Sequence, residues 1–216
     1  MIYAENVLIC IAVPLLIALM FLQGSAKRFV ASFLSGMAAC LLAAYVGGYI
    51  EMLSGMGTEN TAIFLSPIIE EIMKLLPVLF YLLLFEPKDT ELLLVAVGIG
   101  TGFATFENCC YVLSRGAHSL PYVLIRGSVV GVMHLVSMVA LAVGLHLLKR
   151  YKVFTISGII GALSLAVTFH AIYNLLVSEP GTSTYVGYAL PLLGALILYP
   201  QTNYYLGKRE ERRPST

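Results

Sequence analysis

Charge is what this sequence has least of. Asp, Glu, Lys and Arg make up 12% of its 216 residues, about half the share found in soluble globular domains. That scarcity excludes a sizeable soluble domain, and a net charge of +1 gives no basis for nucleic-acid binding. The opening stretch, MIYAENVLIC, lacks a positive n-region, so no cleavable signal peptide is expected. Cysteine is sparse: Cys10, Cys40, Cys109 and Cys110 all fall in apolar segments, at spacings that fit neither a zinc nor a haem pattern. They read as small packing residues, with a thiol nucleophile at Cys109 or Cys110 as the lesser alternative. The zinc-protease pattern HExxH is absent. The glycine-rich GIGTGF at 98–103 has neither the preceding strand nor the phosphate-binding context of a nucleotide loop.

Apolar residues are abundant, at 59%. Runs of about 20 recur along the chain, the length needed to cross a bilayer. The reading is an all-α, polytopic transmembrane bundle with seven spans, at 5–24, 29–50, 61–85, 91–113, 121–148, 153–177 and 183–203. Residues 1–216 then form a single integral membrane domain with a charged tail over 207–216 and no internal repeat. Short polar loops such as QGSAKR, FEPKDTE and SEPGTS carry the turn signals. Gly98 with Gly102, and Gly127 with Gly131, are small-xxx-small pairs suited to close helix contact. Seven spans put ten Lys and Arg residues on one side: Lys27, Arg28, Lys88, Lys149, Arg150, Lys152, Lys208, Arg209, Arg212 and Arg213. Only Arg115 falls on the other, so the N-terminus is expected outside and the C-terminus in the cytoplasm, in a multi-pass protein of the cell membrane.

Some charges remain inside the spans. They are Glu70, Glu71, Lys74, Glu107 and Arg126, joined by His134, His170 and Asn174. Each unpaired charge near the bilayer centre costs about 2.5–3.5 kcal/mol on insertion scales, so five cost roughly 12–18 kcal/mol. That matches or exceeds the whole stability of a typical fold, about 5–15 kcal/mol, so these groups must pair, neutralise or meet water. Lys74 is four residues after Glu70 and three after Glu71, and either pairing is open within one helix. His170 and Asn174, four apart, share a helix face. At about 1.5 Å per residue from the outer ends, Glu107, Arg126 and His170 lie about 10 Å deep, Glu70 about 14 Å and His134 about 20 Å. Four helices thus bring polar groups to the outer half of the bilayer. Three carboxylates face two fixed cations, which leaves one free to hold a proton or act as a base. Intramembrane ionisable residues mark functional sites by default. His118 and His146 are read as peripheral, and Arg115 as interfacial. Tyr111 is read as a partner of Glu107 or an interface anchor. Ser137 is a candidate nucleophile only through its closeness to His134.

Glu70-Glu71-x-x-Lys74, GFATFEN from Gly102 to Asn108, His134 and His170-x-x-x-Asn174, in this order, resemble the PrsW family of intramembrane proteases. That family is similar to the CAAX prenyl endopeptidases and the Abi proteins. The resemblance covers about residues 66–177, within a protease core of about 61–177. It implies that Glu70 activates water, that Glu71 pairs with Lys74, and that His134 helps to hold the water. It further implies that His170 and Asn174 stabilise the oxyanion, with Glu107 and Asn108 as part of the family's FEN motif. The CAAX relatives carry a phenylalanine four residues before their middle histidine. Here that position is Val130, which weakens a prenyl-protease reading. The implied substrate is a single-pass membrane protein such as an anti-sigma factor.

The family has been described both as metalloproteases and as glutamic proteases. Zinc, if it binds, would take Glu70, Glu107, His134 and His170. The metal-free reading, with no cofactor, is the expectation, because Lys74 and Arg126 would crowd a cation with positive charge. Two rivals share these residues. One is a proton-coupled transporter or channel, which would need inverted repeats or helices broken near Pro67 and Pro77. The other is a non-catalytic membrane scaffold.

Overall fold

The computed structural model describes residues 4–116, 119–151 and 156–207, without the side chains of Arg115, Arg150 and 203–207. His118, Lys152 and the basic tail residues Lys208, Arg209, Arg212 and Arg213 lie outside the described residues.

Among the described residues the chain is all helix, turn and loop, with no strand. Its helices are α1 (Ala4–Ala18), α2 (Gly24–Ser54), α3 (Thr58–Asn60), α4 (Ser66–Phe85), α5 (Asp89–Arg115), α6 (Leu120–Ile125), α7 (Gly131–Arg150), α8 (Ile156–Ser178) and α9 (Thr182–Gly207). Wider π-helical turns, Thr61–Leu65 and Arg126–Val130, join α3 to α4 and α6 to α7. The described residues thus form seven helical rods. Among the described residues five helical stretches are long and apolar enough to cross a membrane, and α1 is a shorter apolar helix. Large apolar side chains such as Leu76, Phe80, Leu83, Leu165 and Leu196 are exposed along the rods. An outward apolar surface of this kind is what a lipid solvent requires and water penalises.

Rod ends differ from the predicted spans. The first helix stops at Ala18, short of residue 24, before a turn at Leu19–Phe21. The second begins at Gly24 and runs to Ser54, longer than 29–50. Helical hydrogen bonds continue where the chain leaves hydrocarbon, so an apolar run marks the membrane-compatible part of a helix and not its ends. Pro67 does not break its rod. It stands in the first turn of α4, and Pro77 lies inside the helix without interrupting it.

The closest packing is between α2 and α5. A Cβ on Gly36 would collide with the carbonyl of Ile99, and one on Gly102 with the carbonyl of Phe33. On Gly98 it would come 2.7 Å from Ser32 Cβ. Gly127 and Gly131 make no such approach, since a Cβ added at either would meet nothing within 4 Å. Only the first small-residue pair is therefore a contact surface. The core runs along α4, α5 and α7 through Val78, Ile99, Met138, Leu141 and Leu145, and continues toward α2 through Met37, Phe103 and Phe106.

Polar links tie one end of the bundle. Arg28 of α2 reaches Glu91 of α5 at 3.0 Å, and Asp89 of α5 meets His146 of α7 at 2.8 Å. His146 is therefore a link between helix ends. The internal charges lie toward the other end of these rods.

Candidate active site

Two adjacent glutamates on α4 point into different environments. Glu71 and Lys74 are fully buried and bonded to each other, one helical turn apart. Glu70 faces a cavity of about 280 Å³ between α2 and the α3–α4 rod, lined also by Gly47, Gly48, Thr61, Ala62 and Glu107.

Lys74 uses all of its donor capacity. Its Nζ bonds Glu71 Oε1, His134 Nδ1 at 3.1 Å and Ser137 Oγ at 3.4 Å, and lies 4.9 Å from the centre of the Phe103 ring. An ammonium has only donors, so His134 Nδ1 accepts and its Nε2 carries the proton, which it donates to Glu107 Oε2. Arg126 Nη2 donates to the other oxygen, Glu107 Oε1, at 2.8 Å. The Arg126 guanidinium also stacks over Tyr111, 3.5 Å from its ring centre, so Tyr111 supports Arg126 in this arrangement.

His170 has the opposite tautomer. Its Nδ1 is 2.8 Å from Glu71 Oε1 and donates to it, leaving a lone pair on Nε2, which stands 3.8 Å from Glu70 Oε2. The two imidazole rings are edge to face, with centres 5.2 Å apart. Ser137, itself buried, has its one hydroxyl proton among three acceptors, both oxygens of Glu71 at 3.3 Å and the His134 carbonyl at 3.0 Å. Its hydroxyl is held inside the Glu71 cluster, which fits a supporting part and not a nucleophile's. The charges thus divide into Lys74 with Glu71 and Arg126 with Glu107. Glu70 makes no Lys or Arg pair among the described residues.

A π turn helps align this cluster. Arg126 and His134 are eight residues apart, which in an unbroken α-helix is about 80° around the axis. The turn at Arg126–Val130 takes up an extra residue and brings the pair to within about 20°. Both side chains then reach Glu107. The other π turn precedes Pro67, which has no N–H for the carbonyl four residues earlier. Asn174 Nδ2 donates to the neighbouring Ala62 carbonyl in that turn, at 2.9 Å.

Asn174 therefore braces backbone in this structure with one of the two N–H donors of its amide. Asn108 also stands apart from the cluster, and its buried Oδ1 has no hydrogen-bond partner. None of Cys10, Cys40, Cys109 and Cys110 is disulfide-bonded. Sequence reasoning assigned Thr61 and the Ala62 carbonyl no part in the site; Pro67, just after them, was the available signal.

Glu70, His134 and His170 each offer a ligand atom within 4.8 Å of the others, a set that could hold a metal ion. Glu107 is outside that group, since both its oxygens are engaged by Arg126 and His134. Two His and one carboxylate, with an open position, is a zinc-hydrolase donor set. His170 suits it as it stands, because its Nδ1 is anchored by a carboxylate while Nε2 is open. His134 suits it only after Nε2 gives up its bond to Glu107. The positive charges near the set are each paired with a carboxylate, so crowding by Lys74 and Arg126 is weaker than their sequence positions suggest.

Comparison with curated proteins and with solved structures returned no match. The family model described as PrsW family intramembrane metalloprotease matches residues 13–200. An apolar helical bundle with carboxylates and histidines gathered inside it agrees with that match, and the chain belongs to the PrsW family of intramembrane proteases.

Proposed function

We propose that this protease cuts a peptide bond of a single-pass membrane protein, with Glu70 as the base that takes a proton from the attacking water. The observation that carries this reading is the position of Glu70. It lines the cavity, while Glu71 and Glu107 are held by Lys74 and Arg126. A carboxylate without a basic partner is free to accept a proton. A water shared by Glu70 Oε2 and the lone pair of His170 Nε2, which are 3.8 Å apart, would be aimed by two acceptors. Glu71 and Lys74 orient His170 and His134, and Arg126 with Glu107 fixes the far side of His134.

A second reading is favoured by the donor set Glu70, His134 and His170 and by the family's description. A metal held there would lower the pKa of bound water and polarise the scissile carbonyl. Glu71 would then steady His170, and His134 would need the tautomer with its proton on Nδ1, which frees Nε2 from Glu107. We keep the glutamate-base reading first, because His134 Nε2 is engaged by Glu107. The substrate class, an anti-sigma-like single-pass protein of the cell membrane cut in the outer half of the bilayer, follows the family resemblance.

Purified protein tests both. Glu70→Gln should lower hydrolysis by about 10²–10⁴-fold, the range for general-base catalysis, with the helical fold kept. Full cleavage by that variant removes Glu70 from the mechanism. Activity that survives a chelator supports the metal-free base. Loss with chelator and recovery with zinc replaces it with a metal-bound water. A wild-type chain inert toward every membrane substrate, but retaining partner proteins, would instead favour a scaffold.

A further inference from the structure

The cavity that Glu70 faces has two unlike ends. Its α2 wall is Cys40, Ala43, Ala44, Gly47, Gly48 and Glu51, one helix face at i, i+3, i+4, i+7, i+8 and i+11. From Cys40 to Glu51 the helix rises about 16 Å. At the Cys40 end, Phe103 packs with Cys40 and lies 5.0 Å from the His134 ring, centre to centre. At the other end, Thr58 Oγ1 donates to Glu51 Oε1 at 2.7 Å. Thr58 and Glu70 are the first and last residues that the α3–α4 rod gives to the lining, so Glu51 stands at the end away from the catalytic cluster.

A structural role accounts poorly for Glu51. It lies in the last turn of α2, which ends at Ser54 and holds no basic residue there. The carbonyl end of a helix carries partial negative charge, so a carboxylate in that turn is disfavoured. Among the described residues no Lys or Arg pairs with it, whereas Glu71, Glu91 and Glu107 each have one. Thr58 holds Oε1, and the half-buried side chain leaves Oε2 accessible. Glu51 also follows directly on the apolar run 29–50, at the level where a membrane polypeptide leaves hydrocarbon.

Building on the peptidase reading, we infer that Glu51 is a specificity residue that pairs with a Lys or Arg side chain of the substrate. An extended chain rises about 3.3 Å per residue, so a 16 Å wall accommodates roughly five residues. The basic residue then stands at the edge of the substrate's own apolar segment, about five residues to the water side of the peptide bond at Glu70. An unpaired carboxylate at this end favours a cation and repels an acidic side chain, so it selects among membrane polypeptides by charge.

The test uses full-length protein carrying Glu70→Gln, so that binding is read without cleavage, in nanodiscs of phosphatidylcholine. The probes are fluorescent transmembrane peptides of about 25 residues with Lys, Gln or Glu at both edges of the apolar run, and binding is followed by energy transfer. The Lys probe should bind about 2- to 5-fold more tightly than the Gln probe, the worth of a partly exposed ion pair, and the Glu probe most weakly. High salt should shrink the difference. Glu51→Gln keeps an acceptor for Thr58 and should erase the order, with a melting temperature unchanged or higher. Glu51→Lys should reverse the order. Glu59→Gln, exposed and outside the cavity lining, should leave it as it was. Equal binding of the three probes, or an order that survives Glu51→Gln and Glu51→Lys, overturns the inference, even if the protein carrying Glu70 cleaves them. An order lost equally on Glu59→Gln is a general surface-charge effect and overturns it too. An order that follows Glu51, with no cleavage by the protein carrying Glu70, upholds the pairing and defeats the peptidase reading.

Discussion

At the scale of single residues, the adjacent carboxylates on α4 differ most in what surrounds them. Glu71 takes hydrogen bonds from Lys74, His170 and Ser137 in a fully buried setting. Glu71→Gln leaves the Lys74 charge buried with its counter-ion gone, a change expected to cost about 3–5 kcal/mol. Thermal or denaturant unfolding in detergent checks it, and Glu70→Gln serves as the contrast that should lose activity while keeping stability. EExxK spacing left Lys74 free to pair with either glutamate. Burial of the helix face that carries Glu71, Lys74 and Val78 selects Glu71. Ser137 was visible only as a neighbour of His134, because a serine gives no sign in sequence of the carboxylate it will support across helices.

At the scale of elements, the π turns and the α2–α5 contact shape the site. Asn174→Ala removes the bond to the Ala62 carbonyl and is expected to cost about 0.5–1.5 kcal/mol, the net worth of a typical hydrogen bond. Its effect on kcat should stay below the roughly 10²–10³-fold loss that removal of an oxyanion donor causes. A larger kcat loss with stability intact would return Asn174 to the oxyanion part that the resemblance implied. The glycines offer a second contrast. Gly102→Val drives a side chain into the Phe33 backbone and should destabilise by at least the roughly 1–3 kcal/mol of an overpacked core. Gly131→Ala meets open space and should be neutral or stabilising by up to about 1 kcal/mol, since alanine is the better helix former. Unfolding midpoints of the pair of variants read this directly. Composition marked both glycine pairs alike, and only the docking of α2 on α5 separates them.

At the scale of the whole molecule, the distribution of Lys and Arg, with ten on one side under a seven-span reading, predicts a cytoplasmic C-terminus. A reporter fused after Thr216 should be active in the cytoplasm. Activity only outside the cell would reverse the bundle and move the cluster to the inner half of the bilayer. The links Arg28–Glu91 and Asp89–His146 gather the start of α2, the start of α5 and the end of α7 at one end of the bundle. That arrangement agrees with rods that alternate in direction.

By itself the sequence determined that the chain is an all-helical membrane protein, because apolar runs of about 20 residues fit a spanning helix, which satisfies its own backbone in lipid, and are too long for the strands of a barrel. It also determined which residues had to meet, because Glu70, Glu71, Lys74, Glu107, Arg126, His134 and His170 are too costly in hydrocarbon to remain apart. Tertiary structure alone decided who bonds with whom. It gave Lys74 to Glu71, divided His134 and His170 into opposite tautomers, and turned Asn174 away to the Ala62 carbonyl. Those choices depend on the rotation of each helix about its axis, which the π turns and the α2–α5 contact set. A one-dimensional pattern of residue types does not carry that angle.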